Sequence, residues 1–306
     1  MAKTAVKKPK SKSVLKNKLI VILGPTACGK TKLAVKLAKL FNGEIVSADS
    51  RQVYQGMDIG TGKDLKEYQN IPYHLIDVYP AKKQFTLADY QKKAYQAIDN
   101  IICRKKIPFL VGGSGLYLQA VIDGYQLSQA APDLTLRKNL NAKSLKQLQN
   151  LAKNLKLNKS DFNNKRRLIR ALEIQHAQKK FKPAKKPKYN CLILGLKFPK
   201  KIIDQRIDKR LKARLKQGLI KEVKKLHQQG LSWKKLQDFG LEYKWIAYYL
   251  QNKINYEEMT EKLAIAIHQF AKRQMTWYKR MENIIWIKNY TKAKNKIKKA
   301  LSLSRN

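Results

Sequence analysis

The segment Gly24–Thr31 constrains the fold of this chain more than any other feature. Its sequence, GPTACGKT, fits the phosphate-binding pattern G-x-x-x-x-G-K-[ST]. The apolar run Leu19–Leu23 before it predicts a β-strand, and the segment after it predicts a helix. The apolar face of that helix would hold Leu33, Ala34, Leu37, Leu40 and Phe41. A strand, a glycine-bounded loop and a helix start form an anion site together, because backbone N–H groups and the helix dipole meet the phosphate oxygens.

We assign phosphate binding to the whole loop. Its residues are Gly24, Pro25, Thr26, Ala27, Cys28, Gly29, Lys30 and Thr31. Lys30 would add a positive charge, and the Thr31 hydroxyl would hold Mg2+, the one cofactor that we expect. An ordinary strand-to-helix turn would not require two glycines, a lysine and a threonine at these spacings.

Composition limits the classes of protein to which the chain can belong. Its 306 residues are 43% hydrophobic and 9% aromatic, which is enough to bury a large core. The three cysteines are far apart in the sequence and form no C-x-x-C pair, which favours a reducing cytoplasm and no zinc site. The sequence has no apolar run of the roughly 18–20 residues that a membrane span needs. We expect a cytoplasmic monomer that does not contact a membrane.

The charge balance is extreme, with 66 Lys and Arg residues against 21 Asp and Glu residues and a net charge of +45. Such a field attracts polyanions, and nucleic acid is the obvious partner. A lysine bias of the whole genome is the alternative, since it would place lysine on every solvated face. Residues 1–18 carry seven lysines and no acid, so we predict a disordered basic arm there.

Strand-like and helix-like segments alternate through the first half of the chain. Strands are predicted at Glu44–Ala48, His74–Val78 and Ile107–Val111, with a helix at Thr86–Arg104 between the last two. This order predicts an α/β core over residues 19–125, a P-loop NTPase-like parallel sheet flanked by helices.

Ligands of such sheets gather at the carboxyl ends of the strands. The phosphate loop, Asp49 with Ser50, and Gly112–Gly115 all follow predicted strands, so we expect them to meet at one edge. The strand before Gly112 lacks the terminal acid of a standard ATPase, and the motifs of helicases and protein kinases are absent from the sequence. The loop is therefore predicted to bind phosphates for a reaction other than ordinary ATP hydrolysis.

The second half of the chain is mostly helical. Residues 126–188 are predicted to be a helical insertion, with helices over 134–158 and 165–178 and a lysine–proline linker over 179–188. Residues 189–306 return to the core through a strand at Asn190–Leu196. The remaining elements predicted are helices near 201–216, 219–229, 241–250 and 256–281 and a last strand at Ile284–Ile287.

The segment Asp49–Lys63 resembles the DS-x-QVY-x-GMDIGT-x-K block of the tRNA dimethylallyltransferases, or tRNA isopentenyltransferases. Further blocks of that family match in the same order along residues 19 to about 287. With the family's pattern in parentheses, they are Gly24–Thr31 (GPTASGKT), Gly112–Leu118 (GGTGLYL), Lys165–Glu173 (RR-x-x-RALE), Gly240–Tyr243 (GY) and Ala271–Tyr278 (AKRQ-x-TW-[FY]). The resemblance implies transfer of a dimethylallyl group from dimethylallyl diphosphate to the exocyclic amino nitrogen of the adenosine directly 3′ of a tRNA anticodon.

The resemblance also implies three catalytic residues. Asp49 would be the general base, Ser114 would replace the family's usual threonine near the reacting atoms, and Arg210 would hold the diphosphate. Each has a simpler alternative. Asp49 could be a helix N-cap or a structural acceptor, and Ser114 could cap a helix begun at Leu116. Arg206, Arg210 and Arg214 could form the solvated basic face of an amphipathic helix.

Residues that match tRNA-contacting segments of the family are expected to bind tRNA. They are Asp49, Ser50, Arg51, Gln52, Arg166, Arg167, Arg170, Lys272 and Arg273. Trp277 and Tyr278 could stack on bases. Because they share a helix with apolar residues, we favour a core position for both.

Two residues depart from the family's pattern. Cys28 replaces the family's serine in the phosphate loop, where the backbone N–H of the residue binds the phosphate. Glu242 occupies a position at which the family commonly has glycine or alanine. Glu242 puts a local tRNA contact in doubt. The chain has no Cys/His finger after its core, which favours a bacterial type.

Three other functions stay open on the sequence alone. They are prenylation of a free adenine nucleotide, a phosphate-loop kinase or RNA-dependent ATPase, and a non-catalytic RNA-binding protein.

Overall fold

The computed structural model describes residues 18–128, 130–177 and 184–302. The chain divides into two compact units. One joins the described residues up to Asp123 with those from Pro187, and the other is Gly124–Lys186. The second unit begins and ends two residues before the predicted insertion of 126–188. Most of the predicted basic arm, residues 1–17, lies outside the described residues.

The first unit contains a six-stranded sheet. Its strands are β1 (Lys18–Leu23), β2 (Gly43–Ala48), β3 (Tyr73–His74), β4 (Ile107–Gly112), β5 (Asn190–Leu196) and β6 (Ile284–Ile287). They lie in the order β3-β2-β4-β1-β5-β6, and every pairing is parallel, which confirms the predicted sheet. All residues of β2 and β4 are buried, as expected of parallel strands whose two faces are both covered.

Thirteen α-helices lie within the described residues. In the first unit they are α1 (Lys30–Leu40), α2 (Leu87–Cys103) and α3 (Gly115–Ile122). The second unit holds α4 (Leu134–Ala142), α5 (Leu145–Leu151), α6 (Lys159–Phe162) and α7 (Lys165–Ala177). The first unit resumes with α8 (Lys200–Lys216), α9 (Leu219–Gln228), α10 (Trp233–Phe239), α11 (Leu241–Leu250), α12 (Tyr256–Tyr278) and α13 (Tyr290–Ser302). Three of them, α6, α10 and α13, were not predicted.

Three sequence-based predictions about the first unit were wrong in detail. The third strand ends at His74 rather than Val78, because Leu75 and Asp77 have φ angles of 65° and 55°, which extended backbone does not allow. Leu40 does not belong to the buried face of α1, since 47% of it is exposed, and Phe41 follows the last helical residue.

The second unit has its own small core. Its buried residues are Leu140, Leu148, Ala152, Leu168 and Ile169. The helix predicted over 134–158 is broken into α4 and α5, because Lys143 is extended and Ser144 starts a new helix through a capping box with Gln147. The second of these helices ends at Leu151 rather than at residue 158. Residues 178–183, which include much of the predicted linker, lie outside the described residues.

No helix within the described ranges is both long and apolar enough to cross a bilayer. The expected cytoplasmic location and monomeric state stay predictions.

A buried ion network ties the amino end of β2 to its neighbours. The Glu44 carboxylate is fully buried and accepts hydrogen bonds from both terminal nitrogens of Arg104, from Lys106 and from His74, at 2.8 to 2.9 Å. Burial alone would raise the pKa of Glu44, but the hydrogen bonds from Lys106, His74 and Arg104 outweigh it and lower that pKa to about 2.

We expect Glu44→Gln to lower the free energy of unfolding by about 1–3 kcal/mol near neutral pH, because it removes the buried anion that accepts the hydrogen bonds of Arg104, Lys106 and His74. The folded pKa of Glu44 lies below its ordinary value of 4.5, so its contribution is present above pH 4.5 and is lost as pH falls toward 2. Urea unfolding at several pH values measures this. Glu257→Gln, an exposed change, is the control. A difference between Glu44→Gln and wild type that persists unchanged at pH 2.5 contradicts the ionic origin.

Candidate active site

The register of the sheet aligns the ends of three neighbouring strands. Gly112 of β4 pairs with Leu23 of β1 on one side and with Ala48 of β2 on the other. The next residues, Gly24, Gly113 and Asp49, therefore begin three loops at one edge of the sheet, which is the convergence that the sequence predicted.

The phosphate loop has the conformation of an anion cradle. Gly29 lies in the left-handed region with φ 85°, and α1 begins at the next residue, Lys30. Gly24 is required by space, since a Cβ there would lie 2.9 Å from the Leu196 carbonyl oxygen. The Lys30 Nζ folds back and donates to the Pro25 carbonyl oxygen at 2.7 Å. The amino-terminal N–H groups of α1 and the Lys30 ammonium are thus gathered at one point.

A cavity of about 540 Å³ opens beside this loop. Its lining combines the phosphate loop with residues of five other segments. They are Thr26–Lys32, Asp49, Gln52, Thr61, Gly62, Asp64, Glu67, Tyr68, Val111–Gly113, Phe198, Arg206 and Arg210. Its volume lies within the roughly 300–1,000 Å³ typical of small-molecule sites.

Asp49 is half-buried at the carboxyl end of β2 and lines the cavity. Its Oδ1 accepts backbone N–H bonds from Arg51 at 2.8 Å and from Gln52 at 3.4 Å. Its Oδ2 accepts no hydrogen bond from any residue that the structure describes. One oxygen therefore stabilises the turn, and the other is available to a ligand.

Ser114 does not cap a helix with its side chain. Helix α3 begins at Gly115, one residue before the start expected, and the Ser114 hydroxyl makes no capping bond. Its Oγ instead accepts the Ser50 backbone N–H at 3.0 Å. Ser114 thus occupies the N-cap position of α3 without a side-chain capping bond, and its hydroxyl joins the loop after β4 to the loop after β2.

The three arginines of α8 differ in their surroundings. Arg210 lines the cavity and donates a hydrogen bond to the Thr26 hydroxyl. Burial, followed by the charge of Arg214, lowers the pKa of Arg210 to about 10, so Arg210 is still cationic at neutral pH. Arg206 is exposed and stacks on the Phe198 ring at 4.5 Å. The alternative of a wholly solvated basic face was wrong.

Arg214 is buried and lies opposite Glu242, the residue that departs from the family's pattern. Its Nη1 lies 3.7 Å from a Glu242 carboxylate oxygen. Only 7% of Glu242 is exposed, and burial raises the pKa of its carboxyl. Its side chain is thus directed into the protein rather than toward a surface partner.

Helix α12 joins two of the loops through Gln274, which sequence reasoning did not single out, and through Tyr278, which it did. The Gln274 Oε1 accepts the Thr26 N–H at 2.8 Å, and its Nε2 donates to the Gly113 carbonyl at 2.9 Å. The buried Tyr278 hydroxyl lies 3.2 Å from the Gly24 carbonyl oxygen and 2.9 Å from that of Gly113. The core position favoured for Tyr278 is confirmed.

Close packing by α12 also accounts for a glycine of the loop after β4. A Cβ at Gly115 would lie 2.4 Å from Trp277 Cδ1, so only glycine lets the indole approach. The Trp277 Nε1 donates to the Gln119 side chain at 2.7 Å. Trp277 is half-buried, and its ring packs within the protein.

We expect Gln274→Leu to lower the free energy of unfolding by about 1–3 kcal/mol, because it leaves the Thr26 N–H without its partner and removes one of the two donors to the Gly113 carbonyl. Urea unfolding of this variant is compared with that of Gln205→Leu, an exposed change on α8. Equal stabilities of the two variants would show that the Gln274 bonds contribute nothing.

The residues predicted to bind tRNA lie in both units, and they differ in exposure and in hydrogen-bond partners. In the first unit Lys272 and Arg273 are exposed, whereas Gln52 has its side-chain amide occupied by the Gly62 carbonyl at 3.0 Å and the Ser47 hydroxyl at 3.0 Å. Arg51 stacks on Phe239. Of the group, Lys272 and Arg273 have the side chains best placed for a phosphate.

In the second unit, Arg166 is exposed on α7. Arg167 pairs with Asp161 at 2.6 Å. Arg170 bonds the buried Glu173, which also holds Arg137 at 2.8 Å. Arg170 therefore has a structural partner within its own unit.

Together, the parallel sheet and the loop that closes around the start of α1 define a phosphate-loop α/β protein. The chain belongs to the IPP transferase family, whose model matches residues 52–281, and the model described as isopentenyl transferase matches residues 17–76. The family predicted from the motifs is confirmed.

Similar proteins and solved structures match almost the whole chain. The tRNA dimethylallyltransferase 1 of Syntrophus aciditrophicus (strain SB) is 46% identical over 301 residues, 93% of this chain and 98% of that protein. The crystal structure of the full-length tRNA isopentenylpyrophosphate transferase of Bacillus halodurans matches with a TM-score of 0.74 and 36% identity, over 95% and 98% of the two chains. A eukaryotic dimethylallyltransferase, described as acting on tRNA, matches with a TM-score of 0.75 and 25% identity, over 94% and 79%.

Proposed function

We propose that this protein transfers the dimethylallyl group of dimethylallyl diphosphate to the exocyclic amino nitrogen of the adenosine directly 3′ of the anticodon of tRNA, releasing diphosphate. One observation carries the proposal: Asp49, the phosphate loop and Arg210 line the same cavity. A group that accepts a proton and groups that hold a leaving diphosphate are thereby side by side.

The phosphate loop and Arg210 would hold the diphosphate. Breaking the allylic C–O bond builds negative charge on the departing oxygen, and cationic or N–H donors that are already oriented stabilise that charge. Lys30 and Arg210 supply two cations, and the start of α1 supplies backbone N–H groups. The Arg210 bond to Thr26 keeps its guanidinium against the loop before substrate binds.

Asp49 would be the general base. The adenine amine is weakly basic, so it needs an acceptor for its proton as the new N–C bond forms. The free Oδ2 can accept that proton while Oδ1 stays bound to the Arg51 and Gln52 N–H groups. The bond between carbon and diphosphate oxygen breaks, the bond between nitrogen and carbon forms, and the proton goes to Asp49.

Mg2+ fits the donor set of this cavity as a ligand of the diphosphate. It keeps several waters and takes one or two protein oxygens beside substrate phosphates. Thr31 offers a hydroxyl within the cavity lining. Among the described residues no group of three or more His, Cys, Asp or Glu could hold a metal by itself, so substrate oxygens would complete the shell. When bound, Mg2+ would neutralise part of the diphosphate charge.

The RNA side of the proposal depends on charge and access. The net charge of +45 favours a polyanion over a free nucleotide as the substrate. An adenine stacked in an anticodon loop must be extruded to reach a cavity. The exposed Lys272 and Arg273 can bind the phosphates beside it.

The test incubates purified protein with radiolabelled dimethylallyl diphosphate, Mg2+ and an unmodified tRNA that has adenosine 3′ of its anticodon. Label is expected in this tRNA and not in the same tRNA with guanosine at that position. Absence of label from tRNA, with the protein shown to be folded, overturns the proposal.

Two parallel reactions separate the other functions. Label in adenosine monophosphate but not in tRNA would indicate a free-nucleotide prenyltransferase. ATP hydrolysis stimulated by RNA, without prenyl transfer, would indicate an ATPase.

A further inference from the structure

Residues 57–64 form a wall segment, of which Thr61, Gly62 and Asp64 line the cavity, and a carboxylate from outside the cavity holds this segment. Glu222 of α9 accepts three consecutive backbone N–H bonds, from Asp58 at 3.0 Å, Ile59 at 2.6 Å and Gly60 at 3.1 Å. Consecutive N–H groups that converge in this way form a nest for an anion. Glu222 is the anion that this nest binds.

Tyr243 of α11 completes the set of donors to Glu222. Its hydroxyl donates to Oε1 at 2.9 Å. Burial, followed by the Glu222 charge, raises the pKa of this phenol, so it stays protonated at neutral pH. A Cβ at Gly60 would lie 2.6 Å from the Tyr243 oxygen, so the wall packs directly against the ring.

The other end of the wall is held by Arg214. Its Nη1 donates to the Gly60 carbonyl at 3.4 Å, and a Cβ at Gly62 would lie 1.7 Å from its Nη2. The Glu242 carboxyl lies 3.7 Å from the same Nη1. The two glycines thus let one acidic and one basic side chain clamp a backbone segment only a few residues long.

A continuous set of bonds leads from this clamp to Asp49. The Gln52 Nε2 donates to the Gly62 carbonyl at 3.0 Å and to the Thr61 carbonyl at 3.4 Å. The Gln52 backbone N–H donates to the Asp49 Oδ1. Displacement of the wall would therefore move Gln52 and the turn that orients the Asp49 carboxylate.

We propose that Glu222 is a positioning residue of the active site: its carboxylate holds the 58–60 backbone so that Gln52 and Asp49 keep the orientation needed for prenyl transfer. The inference rests on the proposed function for its activity measurement only. Glu222 itself does not line the cavity.

The physical reason for a carboxylate is the number of donors that it meets. Four donors converge on two anionic oxygens, each of which can accept more than one bond. A glutamine has only one accepting oxygen, and its NH2 group would face an N–H or O–H donor. Glu222→Gln therefore keeps the size of the side chain and removes part of the set of hydrogen bonds that the carboxylate accepts.

The test measures Glu222→Gln, with Glu261→Gln as the matched control because Glu261 is exposed on α12. We expect the kcat of prenyl transfer to fall about 10- to 100-fold in Glu222→Gln, the size of a misplacement of about 1 Å. The Kd for inorganic diphosphate, measured by calorimetry, should change less than about twofold, since no phosphate-loop bond is touched. Glu261→Gln should match wild type in both measurements.

Hydrogen exchange supplies a measurement that does not depend on activity. Faster exchange of the 58–60 amides is expected in Glu222→Gln, and a smaller effect in Tyr243→Phe, which removes one donor only. Wild-type kcat in Glu222→Gln overturns the inference, as does an equal loss of kcat and diphosphate affinity, which would mark a general structural role. A wild-type protein that transfers no label overturns the proposed function instead, and unchanged 58–60 exchange in Glu222→Gln would still overturn the inference.

Discussion

Asp49→Asn is expected to slow prenyl transfer about 100- to 10,000-fold, the usual contribution of a positioned general base. Asparagine keeps the Oδ1 acceptor for the Arg51 and Gln52 N–H groups, so the turn after β2 should persist. The asparagine variant lacks the anionic oxygen that would accept the proton. Single-turnover transfer to tRNA at saturating dimethylallyl diphosphate measures the chemical step.

Asp49→Ala serves as the companion variant, because it removes both the base and the turn acceptor. Binding of tRNA, measured at fixed ionic strength, should stay nearly intact in Asp49→Asn and in Asp49→Ala. If the asparagine variant loses transfer and tRNA affinity to the same extent, Asp49 is a binding or structural residue. A transfer rate close to wild type in Asp49→Asn would exclude its role as base.

Lys30→Met is expected to weaken diphosphate binding about 10- to 150-fold, because a hydrogen bond to a charged group contributes about 1.5–3 kcal/mol. The Lys30 ammonium lines the cavity beside the loop, and among the residues that the structure describes its hydrogen-bond partners are the Pro25 carbonyl and the Cys28 sulfur. Methionine keeps most of the side-chain volume and removes the charge. Calorimetric titration with inorganic diphosphate and Mg2+ measures the change.

Lys36→Met is the matched control for this change. Lys36 lies on the same helix, α1, and is exposed, so its loss alters the net charge equally without touching the cavity. Equal weakening by the two substitutions would mean that the general positive field, rather than the phosphate loop, attracts diphosphate.

The motifs predicted much of the candidate site because they are contiguous in the sequence. The phosphate loop, Asp49 and the glycine loop after β4 each follow a strand, and parallel strands bring their carboxyl ends to one edge. The alternative roles of Ser114 and Arg214 could not be decided in this way. A serine before a helix and a basic residue on an amphipathic helix have the same local pattern whether they face solvent or the protein.

The residues missed by sequence reasoning act over long separations. Gln274 reaches Thr26 across 248 positions, and Glu222 reaches Ile59 across 163. Neither residue breaks the periodicity of its helix, and each is an ordinary polar residue in its own segment. In the sequence, Gln274 was marked only by its place in the Ala271–Tyr278 motif. Nothing in the sequence marked Glu222.

By itself the sequence determined the sheet, the phosphate loop, the family and the candidate base, because each depends on a pattern within about twenty residues. The tertiary structure decided which side chains surround them. It placed Arg210 against the loop, directed Glu242 inward onto Arg214 and set Glu222 under the 58–60 backbone. Hydrogen-bond partners and burial are properties of groups that meet only after folding, so no local pattern could have specified them.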